Sequence, residues 1–244
     1  MDFTYSEYEH ILDLLTNKGY SFTNYVDYSC VEKPVILRHD VDFSLKKALT
    51  FAELEHAKNV KSTYFILLST NFYNVFSKES TDILKRIEAL GHDIGLHFDE
   101  KKYTINNKKD LEQKAKKEAL CLDEIFKKPI NVVSMHRPSV WILNNDIRFD
   151  GLINSYCKTF IGEFKYLSDS RMHWRENVID SIESGRYDKL HILTHPFWYS
   201  ENTETMKEKL SSFISNAKTE RYYEIKNNFK NLEEVIDEAE IEWK

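Results

Sequence analysis

Short runs rich in β-branched and aromatic residues alternate with longer amphipathic stretches along most of the chain. The runs fall at 35–37, 62–67, 93–98, 130–136 and 190–194, and the stretches at 4–18, 44–58, 80–90, 108–126 and 176–183. That alternation predicts βα units around a parallel sheet, either a barrel or an open doubly wound sheet. Thr4 and Glu7 form the pattern of a capping box, and Ser44 can cap the second helix. The stretch 158–170 is predicted to hold two short strands, and 206–217 and 229–236 two closing helices. The chain has no Gly-x-Gly-x-x-Gly and no phosphate-loop motif, which counts against the nucleotide-binding doubly wound folds. It shows no repeat and no Gly-, Ser- or Pro-rich linker. The expectation is one domain over 1–244, with a helical extension over about 1–30, a core over about 31–200 and C-terminal helices over about 201–244.

Composition narrows the function classes. The net charge is -6 with Lys and Arg scattered among Asp and Glu, so there is no basic stripe for nucleic acid. No apolar run approaches the roughly 18 residues that cross a bilayer, and no secretory leader is read at the N-terminus, so a cytoplasmic location is expected. Cys30, Cys121 and Cys157 are widely spaced and suit a reducing compartment.

Polar residues collect where strands end. Asp40 and Asp42 follow the first strand, Asp93 and His97 lie in or after the third, and His136 and Arg137 follow the fourth. Asp169 follows a later strand and His195 the last. This is the edge where parallel α/β folds carry their sites. With a period of two, Asp40 and Asp42 share one face while His39 takes the other. Asp93, Gly95 and His97 likewise share a face that excludes His92. Asp40, Asp42 and His97 are therefore expected to converge, and His39 and His92 to make structural hydrogen bonds. A carboxylate with two imidazoles is a ligand set for a divalent metal such as zinc. A second carboxylate beside it can take a proton from water.

The segments 37-LRHDVDFSLKKALTFAELE-55, 62-STYF-65, 91-GHDIGLHFD-99, 134-SMHRPS-139, 166-YLSDS-170 and 193-LTHPFW-198 together resemble the polysaccharide-deacetylase-like proteins. These are relatives of carbohydrate esterase family four and the NodB-homology superfamily, here in a divergent branch with Arg-His-Asp-Val-Asp that is associated with surface-polysaccharide biosynthesis. The resemblance implies an α/β fold, a distorted seven-stranded (β/α) barrel of the glycoside hydrolase/deacetylase type. It implies metal-dependent removal of an N-acetyl or similar acyl group from an amino sugar, with Zn2+ as the first choice of divalent metal. Asp40 is the implied base, Asp42 and His97 implied ligands, and His195 the implied acid toward the leaving amine. The two Asp roles are open to exchange, because the pair is Asp-Val-Asp rather than adjacent. The family's second metal His would stand four residues after His97, where this chain has Lys101. His136, in the place of the family's Arg in Arg-x-Pro, is inferred to supply the missing ligand. Arg137 and Asp169 are expected to support the site, and Trp198, with Trp141 and Tyr199, to wall a sugar. The expected substrate is an amino sugar or a nucleotide- or lipid-linked sugar.

Two other readings compete. Asp40 and Asp42 after a strand also fit a haloacid-dehalogenase-type phosphatase, although His195 stands where that chemistry wants an acidic pair. The Lys at 101 also fits a catalytically inactive sugar- or nucleotide-sugar-binding protein on the same scaffold.

Overall fold

The computed structural model describes residues 2–241. In chain order it contains α1 (Tyr5–Asn17), β1 (Ser21–Thr23), β2 (Pro34–Val41), α2 (Leu45–Ala57), β3 (Thr63–Leu67), α3 (Lys78–Ala89), β4 (Asp93–Phe98) and α4 (Lys108–Phe126). There follow β5 (Val132–Met135), α5 (Val140–Asn144), β6 (Ile153–Asn154), β7 (Lys165–Ser168), α6 (Val178–Glu183), β8 (Leu190–Thr194) and α7 (Met206–Lys226). Among the described residues no helix is long and apolar enough to cross a membrane.

Seven strands pair in the order β6-β5-β4-β3-β2-β8-β7, and every pairing is parallel. Read as a ring, this is simple chain order, with β8 closing onto β2 and a seam left between β6 and β7. A doubly wound sheet would instead reverse its order at a switch point, so the barrel alternative holds. β1 is an eighth strand that pairs with β2 over Pro34–Ile36, before β3 joins at Arg38. A wide helical turn at Thr159–Glu163 stands at the seam. Its Phe160 packs edge-on against Tyr25 and Tyr28, and its carbonyl accepts from His191 Nδ1 at 3.0 Å.

Alternation sorts the side chains into two cores. Val35, Leu37 and Val41 of β2 pack outward against the helices, in the large cluster that runs from Phe3 to Tyr199. Ile36 packs inward with Phe65, Val132, Phe160 and Phe164, filling the barrel. All eight residues of β2 are buried, including Arg38, His39 and Asp40.

Several elements differ from the sequence reading. The first strand extends beyond 35–37 to Val41, because pairing with β3 and β8 covers its charged end. Asp40 therefore lies inside the strand rather than after it. At α1 only half of the capping box forms: Thr4 accepts from the Glu7 N–H, while the Glu7 carboxylate takes the N–H groups of Asp2 and Phe3. The segment 158–170 holds one strand and one helical turn instead of two strands. The predicted helix at 229–236 is reduced to one short turn at Leu232–Glu234, since Phe229, Val235 and Ile236 find no core to cover them and stay exposed.

The outward His39 joins a buried polar cluster. Its Nε2 lies 2.8 Å from Glu55 Oε1 and its Nδ1 2.7 Å from Thr194 Oγ1. The fully buried Glu55 also accepts from Tyr8 at 2.5 Å, Ser62 at 2.6 Å and Tyr64 at 2.7 Å. His92 bridges Ser62 and the Ala52 carbonyl. Burial alone would raise the Glu55 carboxyl, but His39, His92 and Ser62 hold it at about 2. Its folded pKa lies below the unfolded value of about 4.5, so its contribution is present above that pH and lost as pH falls toward 2. The shift corresponds to roughly 3 kcal/mol. Glu55→Ala strips five polar neighbours of their partner and should cost about 3–5 kcal/mol in urea unfolding at pH 7. The difference from wild type should shrink as the pH is lowered below 4.5. A pH-independent difference would refute this account.

Candidate metal centre

The parallel register sets the site. Leu67 pairs with His97, and His97 with Ser134, so the ends of β3, β4 and β5 lie side by side. Asp42 is the residue after β2, His136 the residue after β5, Asp169 the residue after β7 and His195 the residue after β8. All stand at the C-terminal rim of the barrel. The His136 N–H donates to the Phe98 carbonyl at 2.9 Å, continuing the ladder one step beyond β5.

The structure brings Asp42, His97 and His136 together. Asp42 Oδ1 lies 3.2 Å from His97 Nε2 and 3.2 Å from His136 Nδ1, and the two nitrogens are 3.1 Å apart. Among the described residues Asp42 Oδ1 is buried and has no aligned hydrogen-bond partner, so both approaches are ion-pair contacts only. Donors bound at roughly 2.0–2.2 Å to one ion lie about 3.0–3.5 Å apart. The triangle of one carboxylate oxygen and two imidazole nitrogens thus fits a divalent cation, and these three are the group whose donor atoms fall within 4.8 Å. His97 Nδ1, the nitrogen turned away, is buried with no hydrogen-bond partner among the described residues, so it lacks the outer hydrogen bond usual for a ligating imidazole. Burial raises the Asp42 carboxyl, but His136, His97 and His195 beside it hold it well below the ordinary value.

Asp40 sits one layer deeper. Arg38, two residues earlier on the same face, donates from Nε to Oδ1 at 2.9 Å and from Nη2 to Oδ2 at 2.8 Å. Oδ2 is also 3.5 Å from His97 Nε2. Burial pushes the Asp40 carboxyl up, while the Arg38 guanidinium and His97 bring it below its usual value. Arg38 itself is fully buried, reaches Ser155 Oγ at 3.2 Å and Tyr156 Oη at 3.3 Å, and stacks over the Tyr156 and Phe65 rings.

His195 completes the rim. Its Nδ1 is 2.6 Å from Asp169 Oδ1, its backbone N–H donates to Asp169 Oδ2 at 3.0 Å, and its Nε2 faces Asp42 Oδ2 at 4.0 Å. Burial would lower the His195 imidazole, but Asp169 dominates and raises it to about 9.

Other expected residues lie elsewhere. Trp198 is buried and packs on Phe43 and Phe197, and Tyr199 is buried in the same core, so neither walls a cleft. The short turn Pro196–Trp198 after β8 carries both inward. Trp141 is exposed at α5. Arg137 pairs with Asp99. Lys101 is exposed, with its backbone N–H on Asp99 Oδ1.

Arg38 and Gly95 are the residues whose part the sequence reading missed. Arg38 shares the period-two face of Asp40, and that spacing was the available signal. Gly95 lies two residues below His97, and a Cβ there would meet the Phe65 ring at 2.6 Å and Val132 at 3.0 Å.

A scan against protein-family models finds no match, and a search of curated proteins finds none. Solved structures do match. IcaB from Ammonifex degensii is 18% identical over 53% of this chain and 65% of that one, with a TM-score of 0.41. A CE4 family pseudoenzyme from Bacillus anthracis is 15% identical over 76% of this chain and 62% of that one, at 0.43. The chitin deacetylase of the fungal pathogen Colletotrichum lindemuthianum is 14% identical over 82% and 86%, at 0.44. The chain spans a little under two thirds of the first two of these proteins. At such scores the likenesses carry no argument for a function.

Two expectations follow from the buried layer. Arg38→Met leaves Asp40 unpaired and should destabilise the fold by about 3–5 kcal/mol, part of which Arg38→Met with Asp40→Asn should recover. Additive losses in chemical unfolding would mean that the pair is not coupled. Gly95→Ala should cost about 1–3 kcal/mol by displacing the Phe65 ring, and a neutral effect in the same assay would contradict the packing.

Proposed function

We propose that this chain is a metal-dependent hydrolase that removes an N-acetyl or similar acyl group from an amino-sugar substrate. On this reading it is a single domain acting in the cytoplasm on precursors of a surface polysaccharide. The observation that carries the reading is the triangle of Asp42, His97 and His136, with Asp40 beneath it and the His195–Asp169 pair beside it. The motifs that resemble polysaccharide-deacetylase-like proteins imply roles for Asp40, Asp42, His97 and His195, while His136 stands in the place of the family's Arg and Lys101 in that of its second metal His.

Asp42, His97 and His136 would hold a divalent ion, zinc first, which would supply Lewis-acid chemistry toward water and the acyl oxygen. Asp40 turns Oδ2 toward His97 and accepts the proton of the attacking water. Arg38 fixes both oxygens of that carboxylate. Asp169 takes Nδ1 of His195 and so leaves the Nε2 proton for the departing amine.

Asp40 also favours a second reading. A carboxylate with both oxygens on one guanidinium and a lowered pKa is a weak base, which suits a sugar-binding protein without turnover. Lys101, where the resemblance expects a ligand, points the same way.

Elemental analysis of the purified protein and of two variants separates the readings. Near-stoichiometric zinc or another transition metal, lost in both His97→Ala and His136→Ala, is the expected result. Loss in His97→Ala alone would remove His136 from the ligand set. No metal even after its addition would leave the binding protein. In the metal-loaded protein His195→Ala should retain the metal yet slow acetate release from N-acetylated sugars by about 10²–10⁴-fold.

A further inference from the structure

A cavity of about 500 Å³ opens where the loops after β3, β4 and β5 meet, between Thr70 and Asn71 on one wall and Asp99, Lys101, Lys102 and Arg137 on the other. Three of its lining residues are tied to members of the triangle. Asp99 follows His97 by two residues, Arg137 follows His136 directly, and Thr70 Oγ1 donates to the Asp42 carbonyl at 3.1 Å.

The charge on these walls runs against the rest of the molecule. The chain carries -6 overall, yet the cavity has three cations and one carboxylate. Two of the cations are already engaged: Arg137 pairs with Asp99, and Lys102 Nζ lies 2.8 Å from Glu118. Lys101 has no acidic partner for its ammonium among the described residues. The Arg137 side chain remains half exposed, and a guanidinium has five donors in a fork that suits an oxyanion. An ammonium cannot serve as a metal ligand, so a lysine at 101 contributes charge to this concave wall rather than coordination. An unpaired cation on a concave wall favours ligands of the other sign. A neutral sugar would gain little from such an excess.

We propose that this cavity binds an anionic oxygen group of the substrate, the phosphate of an activated sugar or the carboxylate of an acidic one, through Lys101 and Arg137. The inference deepens the hydrolase reading, since it seats the charged group while the acyl group lies at the triangle.

Calorimetric titration of the 244-residue chain, both metal-loaded and metal-stripped, tests this at low salt. The probes are N-acetylglucosamine 1-phosphate, glucuronic acid and neutral N-acetylglucosamine. A charged probe should bind about tenfold more tightly than the neutral one, the scale of one charge-assisted hydrogen bond. That preference should appear with and without metal, fall as salt is added, and vanish in Lys101→Glu while the neutral sugar is unaffected. Which charged probe holds the advantage identifies the phosphate or the carboxylate as its source. Equal affinities, no binding of either charged probe, or a preference that survives Lys101→Glu would overturn the proposal. A preference confined to the metal-loaded protein would place the anion on the metal and overturn it too. A Lys101-dependent preference in a protein that never takes up metal would keep this inference and fail the hydrolase reading. Stoichiometric metal with no charge preference would do the reverse.

Discussion

A strand buried on both faces that carries Arg38, His39 and Asp40 obliges the rest of the molecule to supply partners for all three. A charged group removed from water without a partner costs several kcal/mol. The alternation of β2 sends the demand in two directions. His39 turns outward, where Glu55 of α2 and Thr194 of β8 meet it. Arg38 and Asp40 turn inward and satisfy each other, with Ser155 and Tyr156 reaching across from beyond β6. The helical layer and the barrel interior are thus tied to the same three residues.

That inward pair also sets the floor of the candidate centre. Asp40 is held by a guanidinium that cannot deprotonate, so its orientation under His97 is determined before any ligand arrives. Gly95 leaves room for the Phe65 ring beneath His97. Above them, the three donors of Asp42, His97 and His136 meet around an oxygen that, among the described residues, has ion-pair contacts but no aligned hydrogen bond. A buried oxygen of that kind is tolerated where another species completes it. The opposite rim is built differently: His195 is tied by two bonds to Asp169, a carboxylate with no exposure. One side of the cleft suits a cation and the other suits a proton.

Much of this was legible in the chain. The alternation of apolar runs and amphipathic stretches announced a parallel α/β fold, and α4 and β8 begin and end where the periodicity put them. The period-two argument set Asp42 and His97 on one face and His39 and His92 on the other, because alternation is a local property of any extended backbone. The end of β2 was less legible. Charged residues ordinarily signal solvent, and only the neighbours β3 and β8 make 38–41 a place where a strand can continue. The closing helix at 229–236 failed for the converse reason, since its apolar positions have the right spacing but only Leu232 is buried while Phe229, Val235 and Ile236 stay exposed.

The sequence by itself determined the strand-and-helix alternation, the faces of β2 and β4, and the set of polar residues available at strand ends. These depend on contacts a few residues apart. Only the tertiary structure decided that β8 closes onto β2 while β6 and β7 stay apart, and that Trp198 is buried core. It alone brought His136 to within 3.1 Å of His97, 39 residues away in the chain. Those outcomes rest on pairing register and on the desolvation of groups far apart in sequence, which no local pattern encodes.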